Sequence, residues 1–203
     1  MLISMIILGV LGLMIILGLG KYILKDFGVN WIVGLVFLAM VIGLNFIPVI
    51  DAGGFVFSIG TLLFYAVVIV NFFIYGKFSN NIIHFMLALI FGGLIYASTR
   101  ISLLTGNTYF GTTNWVHALA VGIIAFAISR NGKYAFLIAA EAMMLANILV
   151  QIGSGVIDLN YNFDWTVVAA GTAFTFYAIT SMFIPNRKVL AIKCEMSKPD
   201  DEK

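Results

Sequence analysis

Glu141 is the only charged residue in the run Tyr134–Ile152, which is otherwise mostly apolar. A carboxyl group in such a run either passes a proton to a neighbour or locks helices together by a hydrogen bond. The placement is expensive, because a charge near the centre of a bilayer costs at least about 2.5–3.5 kcal/mol. Two more polar residues stand in comparable runs, His84 and Asn71. At the 1.5 Å rise of a helix, Glu141 lies roughly 10 Å, His84 roughly 5 Å and Asn71 roughly 6 Å from the same end of their segments. The three are therefore expected to share a layer, in which a histidine facing Glu141 would exchange its proton. The plainer reading is structural, with all three tying helices to one another.

A second polar group gathers toward the other end of the segments: Asn45, Asp51, Ser98, Thr99, Arg100, His117, Asn147 and Gln151. Asn147 and Gln151 are four apart and so share one helical face. Arg100 is the exception in a charge pattern that otherwise keeps cations away from this end, and Asp51 is its expected partner. Arg100 and Glu141 differ in depth by roughly 15 Å on the helical rise and are not expected to pair. Arg100, Asp51, His117, Asn147 and Gln151 together form a candidate binding layer for a polar or anionic ligand. Against this stands an Arg100 that extends its head to water or lipid phosphate.

The elements that must position these residues follow from composition. The chain has 203 residues, of which 62% are hydrophobic and 10% charged, with a mean hydropathy of +1.09. A soluble domain is about 45–50% apolar and about 25% charged, so the surrounding solvent is expected to be lipid. Crossing about 30 Å of hydrocarbon takes about 20 apolar residues in a helix. Seven stretches approach that length: Leu2–Leu19, Trp31–Ile47, Gly54–Tyr75, Ile82–Ser98, Trp115–Ser129, Tyr134–Ile152 and Trp165–Ile184. The fifth is the shortest; it extends backward through Asn114 or re-enters, which leaves six crossings as the alternative. Backbone groups in lipid must pair internally, and continuously apolar runs exclude the alternating pattern of barrel strands. The fold expected is all-α: a polytopic bundle over 1–185 with a charged tail over 186–203.

Orientation comes from the cations, which are retained on the cytosolic side. Ten of the eleven fall on one face if the N-terminus is outside: Lys21, Lys25, Lys77, Arg130, Lys133, Arg187, Lys188, Lys193, Lys198 and Lys203, leaving Arg100 opposite. The opposite face carries Asp51, Asp158 and Asp164 and the longer connections, Leu104–Asn114 and Gly153–Asp164. With no basic residue ahead of it and two behind, the first segment reads as an uncleaved anchor rather than a removable signal. Trp31, Trp115 and Trp165 stand at segment ends, where indoles settle at the interface. Cys194, alone in the tail, is expected to remain a thiol.

Gly60–Ala66 echoes Gly171–Ala178 with one residue inserted. This is a hint of tandem halves that a chain with 20 glycines and 18 phenylalanines also produces by composition. Gly9, Gly12, Gly18 and Gly20, and Ala142 with Ala146, are small residues suited to close helix contact. No phosphate-binding loop, zinc-protease motif, paired-cysteine motif or nucleophile elbow is present, and two histidines on separate segments make a poor metal set. No metal, cofactor or catalytic residue is assigned, and the chain reads as non-enzymatic before it reads as an enzyme, an intramembrane enzyme with Glu141 as its one acid being the third reading.

The stretch Leu24-Lys25-Asp26-Phe27-Gly28 through Asn45-Phe46-Ile47-Pro48, the Ser98-Thr99-Arg100 segment end and the Asp158–Asp164 loop resemble the YphA-like polytopic membrane proteins of Gram-positive spore-formers. That resemblance implies a multi-pass membrane fold and carries over no functional residue. Low Arg with high Ile, Asn and Lys usage fits an AT-rich bacterial genome. The function expected is a plasma-membrane bundle that binds another membrane protein or a small ligand, with the bilayer as solvent and no nucleic acid involved. The alternative is a carrier subunit similar to the substrate-capture subunits of energy-coupling-factor vitamin transporters, taking a polar ligand at the Arg100 layer.

Overall fold

The structure, a computed structural model, describes residues 2–74, 78–104, 114–129, 131–152 and 155–183. Lys77, Arg130, Cys194 and the tail over 186–203 lie outside the described residues, as does most of the Leu104–Asn114 connection.

The described chain is helical: α1 (Leu2–Ile16), α2 (Lys21–Asp26), α3 (Trp31–Leu44), α4 (Ile59–Ile74), α5 (Phe78–Leu104), α6 (Asn114–Ile128), α7 (Gly132–Gln151) and α8 (Phe163–Phe183). Each of the seven apolar stretches coincides with one long helix. The shortest stretch does extend backward, with α6 starting at Asn114. The Asn131 side chain accepts from the Lys133 N–H at the start of α7, satisfying one of the donors a helix leaves open there. Beyond α3 the chain meets Pro48, which cannot continue a helix. Two helices, over Asn80–Ser102 and Gly132–Gln151, are long and apolar enough to cross a membrane.

Two elements depart from the sequence expectation. The third stretch was expected to be helical from Gly54, yet Phe55–Phe57 is a strand (β2) and α4 begins only at Ile59. It pairs antiparallel with β1 (Ile50–Asp51) and parallel with β3 (Ile157–Asp158), forming a small sheet. The hairpin closes through Gly53 and Gly54 at φ +66° and +96°, the left-handed pair that tight hairpin turns demand. The second departure is α2, an amphipathic turn-and-a-half inside the first connection.

Successive long helices run between two ends, called here the sheet end and the α2 end. The Ser4 N–H donates to Asp164 Oδ1 at 3.0 Å, joining the first turns of α1 and α8 at the sheet end. α7 is the central helix: 14 of its 20 residues are buried, and it packs on α2, α4, α5, α6 and α8. Its alanines permit this. A side-chain carbon at Gly92 of α5 would sit 2.9 Å from the Ala142 carbonyl oxygen, so the two backbones are nearly in contact. Gly9, by contrast, has no neighbouring atom near enough to constrain it. Gly60 opens α4 whereas Gly171 lies in the third turn of α8, so the two halves of the sequence echo sit at different heights in the bundle.

Apolar side chains coat the outside of the bundle as well as filling most of its interior. Ile6, Val33, Ile90, Ile124 and Ile179 project outward, while Ser4, Asn45, Ser58, Thr61, Asn81, Glu141, Asn147 and Thr166 are buried.

Candidate functional site

At the sheet end, the polar side chains bond to one another and to main chain. Asn45 Oδ1 accepts from the hydroxyls of both Ser58 and Thr61, the latter at 3.2 Å, while Asn45 Nδ2 donates to the Val41 carbonyl at 2.9 Å. Gln151 grips the main chain of Asp158 from both sides: its Nε2 donates to the Asp158 carbonyl at 3.0 Å and its Oε1 accepts the Asp158 N–H at 2.6 Å. Asn147 Nδ2 reaches Thr166 Oγ1 at 3.3 Å, and that hydroxyl also meets the Tyr65 hydroxyl at 3.3 Å. Asn147 and Gln151 thus share a face, as their spacing implies, and both are engaged in holding the Asp158–Thr166 segment onto α7.

The rest of the candidate binding layer is dispersed around that end. The Arg100 guanidinium donates to the Val150 carbonyl at 3.3 Å and lies 5.5 Å from the Tyr96 ring centroid. Asp51 accepts from the Gly54 N–H at 3.3 Å within the exposed hairpin turn. The Arg100–Asp51 pair expected from the charge pattern is not formed, because each group has its nearest partner in its own neighbourhood. His117 Nε2 meets Ser98 Oγ at 3.3 Å.

Toward the α2 end the three residues expected to share a layer are separated. α7 begins at Gly132, so Glu141 lies about 13 Å up its helix on the 1.5 Å rise. Glu141 is 4% exposed, and its Oε2 has no hydrogen-bond partner among the described residues. His84 does not face it; its ring stacks on Tyr134 with centroids 4.0 Å apart, about two helical turns below Glu141. Tyr134 in turn donates its hydroxyl to Asn81 Oδ1. Asn71 donates to the carbonyl of Val67 in its own helix at 2.8 Å, and its side chain borders a cavity.

That cavity, about 270 Å³, is the feature the sequence reading missed. α1, α2, α3, α4, α7 and α8 all contribute to its wall, and among the described residues Asn71 is the sole polar side chain in it. Beside it lies a second, more open cleft of about 300 Å³ lined by Lys21, Lys25, Asn30 and Trp31 among others. Leu24 and Val29 belong to both walls.

The partition between the two spaces has a local cause. α2 ends with the Gly28 N–H on the Lys25 carbonyl and the Val29 N–H on the Leu24 carbonyl, both at 3.0 Å, and with Gly28 at φ +69°. This is the helix stop in which a left-handed glycine is followed by an apolar residue folding back on the last turn. Val29 therefore lies against Leu24, and Lys21 and Lys25, one turn apart, face the open side.

No protein-family model, curated protein or solved structure matches this chain.

Proposed function

We propose that this chain is a multi-pass protein of the bacterial plasma membrane. It crosses the bilayer seven times, with its N-terminus outside and its charged tail in the cytosol, and it works without catalysis by binding a small, mostly apolar ligand. The observation that carries the binding reading is the cavity of about 270 Å³ beside Asn71, walled by six helices. Ligand sites are concave and largely apolar, with few polar groups to orient the guest, and this space fits that description.

The membrane part rests on the apolar exterior of the bundle. Large apolar side chains cover its outside on helix after helix, far beyond the few hundred Å² of contiguous apolar surface usual for a soluble protein. The shorter helices, such as Trp31–Leu44, would span thinned bilayer or rely on their flanking residues to reach the interface. The cation pattern supports a cytosolic α2 end and an external sheet end. The alternative, a carrier taking a polar solute at the sheet end, has less support because the amides of Asn147 and Gln151 are already committed to Thr166 and Asp158.

The test has two parts. Reporter fusions at the connections should alternate between the two faces, with the carboxyl end cytosolic; a carboxyl end outside would overturn the orientation. Solvent extraction of the purified chain followed by mass spectrometry should release about one small apolar molecule per chain. Val67→Trp, which fills the cavity, should abolish it. A wild-type chain that carries nothing, or a filled cavity that carries as much, would sink the binding reading.

A further inference from the structure

The cavity and the lysine cleft meet along Leu24 and Val29, so one guest can reach both. The cleft carries two exposed ammonium groups on the same side of α2 and no carboxylate; Asp26, the nearest acid in sequence, is absent from its wall. It also carries Trp31, 45% exposed at the first turn of α3, a residue type that settles at the lipid headgroup level. Next to it, Asn30 makes no capping bond with its side chain. Cationic and interfacial on one side of a two-residue apolar sill, apolar and less open on the other, the pair has the polarity of an amphiphile with a negative head.

We propose that the two spaces form one site for an anionic phospholipid of the cytosolic leaflet, with the phosphate between Lys21 and Lys25 and one acyl chain passing Leu24 and Val29 into the cavity. The proposal rests on the membrane reading above and names the class of ligand that occupies its cavity. Four features of the site support this occupant. The guest is already in the surrounding medium, so it reaches the cavity without crossing water. Basic pockets between membrane helices on the cytosolic side select anionic headgroups, each lysine contributing to retention. The second acyl chain remains in the bilayer, in keeping with a cavity that is partly open. Asn71, in the last turn of α4, has its amide turned onto its own helix, which leaves the wall apolar to the guest.

The experiment is native mass spectrometry of the full-length chain in detergent, offered equal amounts of phosphatidylglycerol and phosphatidylcholine with matched chains, and separately soluble glycerol phosphate. One phosphatidylglycerol should be retained in preference to phosphatidylcholine by roughly tenfold to thirtyfold, the effect of two lysines near a lipid phosphate. Lys21→Gln with Lys25→Gln should erase the preference, and Lys21→Arg with Lys25→Arg should keep it; both pairs alter exposed side chains, so folding is preserved. Val67→Trp should release the lipid whatever its head. Equal retention of the two lipids, or a preference that survives the double Gln change, would overturn the anionic site. If both lipids bind equally and both are lost in Val67→Trp, the cavity binds a ligand without reading its charge: the functional reading stands and this inference falls. If neither lipid binds, this inference falls, and the functional reading stands or falls with the extracted molecule. Displacement of the lipid by glycerol phosphate alone would show that the acyl chain contributes nothing, and would overturn the lipid as occupant.

Discussion

Two groups of buried polar side chains, the amide and hydroxyl network at the sheet end and Glu141 with Asn71 and His84 toward the α2 end, are held differently. At the sheet end Asn45, Ser58, Thr61, Asn147 and Gln151 bond to one another or to main chain, and each has a partner from another element. Toward the α2 end Glu141 has a buried oxygen with no hydrogen-bond partner, Asn71 bonds only within its own helix, and His84 rests its ring on Tyr134. Burial of a polar group is thus a poor guide to its role by itself. What distinguishes structure from capacity is whether the partners are already in place, since a buried group that loses its partner costs about 1–3 kcal/mol whereas one that never had a partner has nothing to lose.

That contrast can be broken by substitution, with thermal denaturation of the detergent-solubilised chain as the measurement. The largest effect is expected for Gly60→Ala. The added carbon would lie 2.4 Å from the Val41 carbonyl oxygen and 2.7 Å from the Asn45 amide, so backbone must move and the Asn45 network with it, at a cost of about 3 kcal/mol. Gln151→Leu comes next. It strands the N–H of Asp158, whose carbonyl keeps the Tyr161 N–H at 3.1 Å, and should destabilise by about 2 kcal/mol; an unchanged melting temperature would mean that water replaces the lost bond. Glu141→Leu should act in the other direction, raising stability by about 1 kcal/mol because an unpartnered buried polar group gives way to an apolar one. Destabilisation instead would reveal a partner for Glu141 and place it with the sheet-end group. The smallest effect, within about 0.5 kcal/mol, is expected for Asn71→Leu, whose amide makes one local bond and faces apolar space.

The helices were legible because continuous apolar runs bounded by turn formers and charge leave the backbone little choice, and every expected stretch contains a helix. The sheet was not, because strands of two and three residues are too short to display alternation, although Gly53-Gly54 between Val49-Ile50 and Phe55-Val56-Phe57 carried the hairpin signal. α2 escaped for the same reason of length. Single polar residues were legible as costly, whereas their partners were not: these segments are apolar nearly all round, so hydropathy does not fix how each helix is rotated. That rotation decides that His84 meets Tyr134 and not Glu141. The cavity left no trace in the sequence, since the side chains that wall it are of the same kinds that coat the outside. Lys21 and Lys25 were read only as markers of a face, and their place beside a cavity depends on the turn at Gly28.

The clamp that Gln151 closes on Asp158 bears on traffic through the molecule. With that segment fastened from two sides and β2 paired to it, the described part of the sheet end is braced. On the topology proposed above, a guest of the interior would travel in the plane of the bilayer, between helices, at a rate set by side-chain rotation.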